Sequence, residues 1–227
     1  QQGYESYIYN IGKAFHKTIV HTQDNTTKDK WGTAIQTLDG ATVCANNLTV
    51  AGNHKENDTY GYPINGYCNL VLVNSTIVDE GFAVVRFDNA SASAWSLNSI
   101  ILNTITADRW AVEFNQSAKF TSGGYSIVGS SSGTGTFTLS ADGDQKDKTF
   151  STDTWTWNSD LYYAWNGSFG DIDYSTSGIN PSDIQTLVSE KNKDFVNWVT
   201  GIDADAFKKD IRGNDRISHA WPGSYNN

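Results

Sequence analysis

Methionine is absent from this chain, cysteine occurs twice, and no long apolar run is found among its 227 residues. Without a stretch of about 18 apolar residues, nothing in the sequence is expected to span a bilayer as a helix. The missing methionine and the opening "QQGYESYIYN" read as a mature or trimmed product, so the expected location is secreted or cell-surface. Positive charge is also scarce: 16 Lys and Arg stand against 25 Asp and Glu, for a net charge of −9. That balance argues against nucleic acid or an anionic membrane as partner. An acidic polysaccharide would be repelled overall unless a local basic patch or a bound cation intervened.

Catalytic and cofactor motifs are missing as well. His16, His21, His54 and His219 are scattered outside any zinc-ligand spacing, so no metal site is expected. The segment Ala141–Lys148, "ADGDQKDK", is rich in Asp but lacks the ligand spacing and closing Glu of an EF-hand, and reads as a solvated turn. No phosphate-binding loop, dinucleotide fingerprint or G-x-S-x-G elbow occurs, so no cofactor is expected. Cys44 and Cys68 are compatible with a disulfide between adjacent turns or with two buried thiols.

What the chain does contain is a repeat. Between Ala34 and Ser130 the segments "NNLTVAGN", "VNSTIVDE", "LNSIILNT" and "GGYSIVGS" superpose. Val50, Ile77, Ile101 and Ile127 fall in one column, with Asn47, Asn74, Asn98 and then Gly124 in a second. A period in the twenties without helical segments signals a solenoid of β-strands, because one such turn cannot bury its own apolar face. Stacked turns would place β-branched residues above one another and let the Asn column form an amide ladder. Asn and Gly also suit the left-handed backbone of a sharp corner. The expected fold is therefore all-β, a parallel β-helix of about four to five turns. A β-sandwich whose Asn-Ser-Thr composition imitates a repeat is the competing reading.

The expected organisation has three parts. Residues 1–33 form an N-terminal cap or the edge of a larger solenoid, and residues 34–130 carry the turns. Residues 131–227 supply a hairpin, an aromatic segment and short helices that cap the stack. In that last part Asn180-Pro181-Ser182-Asp183 starts a helix, with Asn as cap and Pro in the first turn.

The tail "DIRGNDR", Asp210–Arg216, followed by "WPGSY", Trp221–Tyr225, resembles the closing signature of parallel β-helix repeat proteins exported by gut Bacteroidetes. The "NST-I" and "NSI-I" turns resemble the same family's repeat. Together these cover roughly residues 34–130 and 180–227, with Ser224 where the family usually has Ala. The resemblance implies a right-handed β-helix of the pectate-lyase-like fold, shared with tailspike-type proteins and surface adhesins. It does not supply a chemistry.

Candidate site residues come from strand parity. With Ile35, Ile64, Val85 and Val112 pointing inward, Gln36, Asn65, Arg86 and Glu113 point outward. Two positions on, Tyr67, Asp88 and Asn115 share that face. The strip is either a shallow saccharide groove with Tyr67 as a stacking ring, or a solvated face on which Arg86 and Glu113 form an ordinary cross-strand pair. Catalysis there would fall to Arg86, Asp88 and Glu113, as a polysaccharide lyase or a glycoside hydrolase with two carboxylates. Ca²⁺ enters only under the lyase alternative. A second carbohydrate-binding candidate is the Trp155–Trp165 segment, where Trp155 and Trp157 share a strand face. These rings could equally pack the hairpin onto the stack. The expected function is a non-catalytic module that recognises a polysaccharide or glycan.

Overall fold

In the computed structural model the described residues form mostly strands in parallel sheets, with few helices. The structure describes residues 14–20, 35–36, 42–50, 61–67, 69–79, 81–105, 107–150, 155–158, 162–165, 168–169, 172–192 and 204–224. The strands β1 (Ala14–Val20), β2 (Ile35–Gln36) and β3 (Thr42–Val50) come first. One circuit follows as β4 (Ile64–Gly66), β5 (Asn69–Val73) and β6 (Thr76–Asp79). The next is β7 (Ala83–Phe87), β8 (Ser93–Leu97) and β9 (Ile100–Asn103). A third is β10 (Trp110–Phe114), β11 (Lys119–Gly124) and β12 (Ile127–Val128). Then come β13 (Ser131–Gly133) and β14 (Thr136–Thr138).

Each circuit hydrogen-bonds to the equivalent strands of the next. The order β2-β4-β7-β10-β13 makes one ladder. The orders β3-β5-β8-β11-β14 and β3-β6-β9-β12 make two more, joined through the long strand β3, with β1 paired to its outer edge. Every one of these pairings is parallel. The expected rows are present: Ile35 faces Ile64, Ile64 faces Val85 and Val85 faces Val112. Val50 faces Ile77, Ile77 faces Ile101, and Cys44 lies opposite Val71. Cys44 is buried, and the Cys68 half of the proposed disulfide lies outside the described residues.

One row departs from expectation. Ile101 faces Val128, and Ile127 faces Ile100. A bulge between Ser122 and Gly124 adds one residue, so Gly124 pairs with Leu97 and Tyr125 occupies the corner that Asn98 takes below it. Tyr125 adopts the left-handed backbone there, with φ 55°, matching 56°, 49° and 49° at Asn47, Asn74 and Asn98.

Inward residues of all three ladders merge into one core that includes Leu48, Val50, Leu70, Leu72, Ile77, Val85, Ile101, Val112 and Phe120. Phe87 and Phe114 stack along its axis, their centroids 5.6 Å apart and planes at 18°. Burying each such side chain stabilises the fold by about 1.5–3 kcal/mol before entropy is counted. The helix that starts at Pro181 covers the flank of this stack: Val71, Val73, Trp95 and Leu97 on the outer face pack with Ile179, Ile184 and Val188 around α1 (Pro181–Asn192). The rest of the expected helical segment, residues 193–203, lies outside the described residues. Around the corner, Val78, Ile100, Leu102 and Ile127 pack with Tyr174 and Trp221.

The corner between those two outer faces is sealed by the Asn rows. Asn98 Nδ2 donates to Asn74 Oδ1 at 2.8 Å, and Asn74 Nδ2 donates to Asn46 Oδ1 at 3.0 Å. The same amides reach the tail: Asn46 to the Ala206 carbonyl, Asn47 to Lys209, Asn74 to Phe207 and Asn98 to Trp221. Residues Asp210–Ser224 thus seat on the ladder. The fully buried Asp210 accepts from the Arg212 and Asn214 backbone N–H groups and from the Arg212 guanidinium. Ser224 donates its N–H to Thr76 Oγ1 at 2.9 Å. Gly223, with φ +95°, brings the tail so close that a Cβ would sit 2.5 Å from Thr76 Oγ1.

Candidate functional site

The outward row of the β2-β4-β7-β10-β13 ladder carries the polar cluster. Gln36 faces Asn65, Asn65 faces Arg86, Arg86 faces Glu113, and Glu113 faces Ser132. Parallel pairing in register forces these residues to neighbour one another, and the two-residue period of a strand keeps Asp88 and Asn115 on the same side.

Arg86 is the hub of this cluster. Its Nε lies 2.7 Å from Asp88 Oδ1 and 3.6 Å from Glu113 Oε2, so the shorter pairing is with the residue two along its own strand, not with the cross-strand glutamate. Its guanidinium also sits 4.4 Å above the ring of Tyr62, a cation–π contact the sequence pattern missed. A signal existed, because Tyr62 precedes Pro63, which biases its backbone to extended conformations just ahead of β4. Asn115 Nδ2 completes the group by donating to Asp88 Oδ1 at 2.9 Å. Tyr67 is half-buried, and its hydroxyl is in hydrogen-bonding contact with Asp88 and Asn65.

The electrostatics follow from this crowding. Burial pushes the Glu113 carboxyl above the usual carboxylate range, Arg86 pulls it back and Asp88 raises it further. Glu113 Oε2 is buried and has no hydrogen-bond partner among the described residues. Burial, then the charge of Glu113, raises Tyr62; burial, then Asp88, raises Tyr67. Burial alone would lower Arg86, but Asp88, Tyr62 and Glu113 together outweigh it and the net shift is upward.

As a cation site for Ca²⁺ the strip does not fit. The Arg86 guanidinium already stands against both carboxylates, where a divalent ion would meet a like charge. No cluster of three or more His, Cys, Asp or Glu able to hold a metal occurs among the described residues. The Ala141–Lys148 segment is a structural turn, in which Asp144 accepts from Ser122 Oγ and from the Ser126 and Ala141 backbone N–H groups.

The tryptophan candidates lie elsewhere. Strand β15 (Trp155–Asn158) pairs antiparallel with β16 (Tyr162–Trp165), placing Trp155 opposite Trp165 and Trp157 opposite Tyr163. Strand β16 lies near β6, on a different ladder from the Arg86 row. No helix among the described residues is long and apolar enough to cross a membrane. Comparison with known proteins returns no match, whether against family models, curated sequences or solved structures.

Proposed function

We propose that this chain is a right-handed parallel β-helix module, secreted or displayed at a cell surface, that recognises a polysaccharide through the Gln36–Asn65–Arg86–Glu113 strip. The observation that carries this reading is the strip itself. It is a continuous row of charged and amide groups, one per circuit, on a rigid ladder whose repeat suits an extended ligand. Tyr67, half-buried beside the strip, is the ring that would stack on a sugar, because Tyr62 is only 3% exposed and lies beneath Arg86.

Recognition without catalysis is favoured by the way Arg86 is engaged. A guanidinium held at 2.7 Å by Asp88 and seated on an aromatic ring is fixed in place, which suits binding. The polysaccharide lyase or glycoside hydrolase reading rests on one specific feature. Glu113 is a carboxyl held protonated more readily than usual, and both it and Asp88 lie within 3.6 Å of the same nitrogen.

A glycan array probed with the 227-residue chain separates these readings, with every hit then assayed for new reducing ends and for the ultraviolet absorbance of unsaturated uronate. Binding without either product, weakened by Arg86→Ala and Tyr67→Ala, is the expected result. Cleavage would establish an enzyme, and no binding to any glycan would remove the carbohydrate reading altogether.

A further inference from the structure

Along strand β10 the outward parity continues from Glu113 through Ala111 to Arg109. At that end a small cavity of about 20 Å³ opens between Asn103, Arg109, Ala111, Ser130, Lys148 and Thr149. A single water needs roughly 10–15 Å³ of such space, so the cavity takes the end of a ligand and not a sugar ring. Two of its lining residues are cations. Among the described residues no carboxylate lies within ion-pairing distance of either Arg109 or Lys148.

Arg109 is held but not satisfied. Its guanidinium lies 5.4 Å from the centroid of the Phe82 ring, and its Nη1 donates to the Asp108 carbonyl at 3.2 Å. Its Nε is buried and has no acceptor among the described residues. A buried donor left unmade costs about 1–3 kcal/mol, a cost that an incoming acceptor would remove. Asn103 is already engaged, donating to the Gly81 and Trp110 carbonyls and accepting from the Ile105 N–H. The Ser130 hydroxyl donates to the Arg109 carbonyl at 3.4 Å, so the free capacity of the cavity is cationic, together with the Thr149 hydroxyl.

We infer that this cavity is an oxyanion subsite, and that the glycan bound along the strip carries sulfate or carboxylate groups. The inference rests on the carbohydrate reading above for its second half only. Ala111 lines the cavity two residues before Glu113 on the same side of the strand, about 7 Å away. A saccharide lying on the strip can thus place one charged substituent between Arg109 and Lys148. The local pair of cations also answers the overall charge of −9, which by itself repels such a ligand.

The test follows the Arg109 Nε–H resonance, assigned with Arg109→Lys, while sodium sulfate or sodium acetate replaces sodium chloride at constant ionic strength. A saturable shift, weakened in Lys148→Gln, is expected. A shift of equal size with chloride alone would overturn the subsite. A sulfated glycan should then bind about tenfold more tightly than its desulfated counterpart, and Arg109→Gln should erase that difference. Equal binding of the two glycans, unchanged in Arg109→Gln, would overturn the subsite while leaving glycan recognition standing. Saturable sulfate binding with no glycan bound at all would keep the subsite as one for free oxyanions and sink the glycan reading.

Discussion

Arg216 Nη2 donates to Asn47 Oδ1 at 2.7 Å, joining the tail to the corner of the stack across 169 residues of sequence. The same guanidinium donates to the carbonyls of Lys209, Trp221 and Gly223. It is buried, and burial pushes its pKa down to about 9. A charge that costly to bury persists because it satisfies four acceptors, sharing the Lys209 and Trp221 carbonyls with Asn47 and Asn98 and serving Asn47 Oδ1 and the Gly223 carbonyl itself. Arg216→Met should therefore lower stability by roughly 3 kcal/mol, the cost of leaving several buried acceptors unmade. Urea unfolding monitored by tryptophan fluorescence measures it, and a loss below about 1 kcal/mol would mean the tail is not held through this side chain.

The interior row makes a sharper demand. Ile77 is fully buried between Val50 and Ile101, with apolar neighbours on the circuits either side. Ile77→Asp would place a carboxylate there with no partner, and a loss above about 4 kcal/mol, or failure to fold, is expected. Ile77→Val, which keeps the shape of the row, should cost only about 0.5–1.5 kcal/mol. Similar melting temperatures for the two variants would show that the row is not stacked as described.

The rows of β-branched residues were readable because parallel stacking repeats side-chain chemistry at one position per circuit. The same logic misplaced the fourth corner. Gly124 met the left-handed requirement as well as an Asn does, and composition alone could not show the extra residue at the Ser122–Gly124 bulge. The amide ladder was legible as a column, yet its lowest acceptor is Asn46 and not Asn47, whose oxygen is taken by Arg216. That choice depends on the tail, 169 residues away in sequence. The flank cover had a visible sign: "LVLV" at Leu70–Val73 is apolar on both parities, so both faces of β5 had to be buried. In the strip, parity placed Arg86 beside Glu113, but the shorter Arg86–Asp88 pairing is set by side-chain rotamers and was not in the pattern.

Arg86 offers a prediction that separates structure from binding. Its side chain is 17% exposed and its shortest pairing is with Asp88, 11% exposed and one residue beyond the end of β7. Arg86→Ala should leave the fold intact, at a cost of about 1–3 kcal/mol because Asp88 and Glu113 lose their cation while Asp88 keeps the Asn115 donor. Glycan affinity should fall, and the Glu113 carboxyl, now without the cation that lowers it, should titrate at higher pH than in the parent. Carbon-13 chemical shifts of the Glu113 side chain read this directly. An unchanged titration would show that the two groups do not interact.

Glu113 itself sets a pH dependence whose sign is fixed by its environment. Its folded-state pKa is raised above the ordinary value of 4.5, chiefly by burial. In the window just above that value the folded chain holds a proton that the unfolded chain has released. Stability from this group is then fully present below the unfolded pKa and is lost as pH rises through the folded one. Glu113→Gln keeps the shape and removes the titration. The difference in melting temperature, variant minus parent, should therefore grow more positive from pH 4 towards neutrality and level off once Glu113 is ionised in both states. Taking the difference cancels the carboxylates common to both proteins. A difference that stays flat across this range would mean that Glu113 titrates like an exposed glutamate, and that the strip lacks the buried acid on which the hydrolase reading depends.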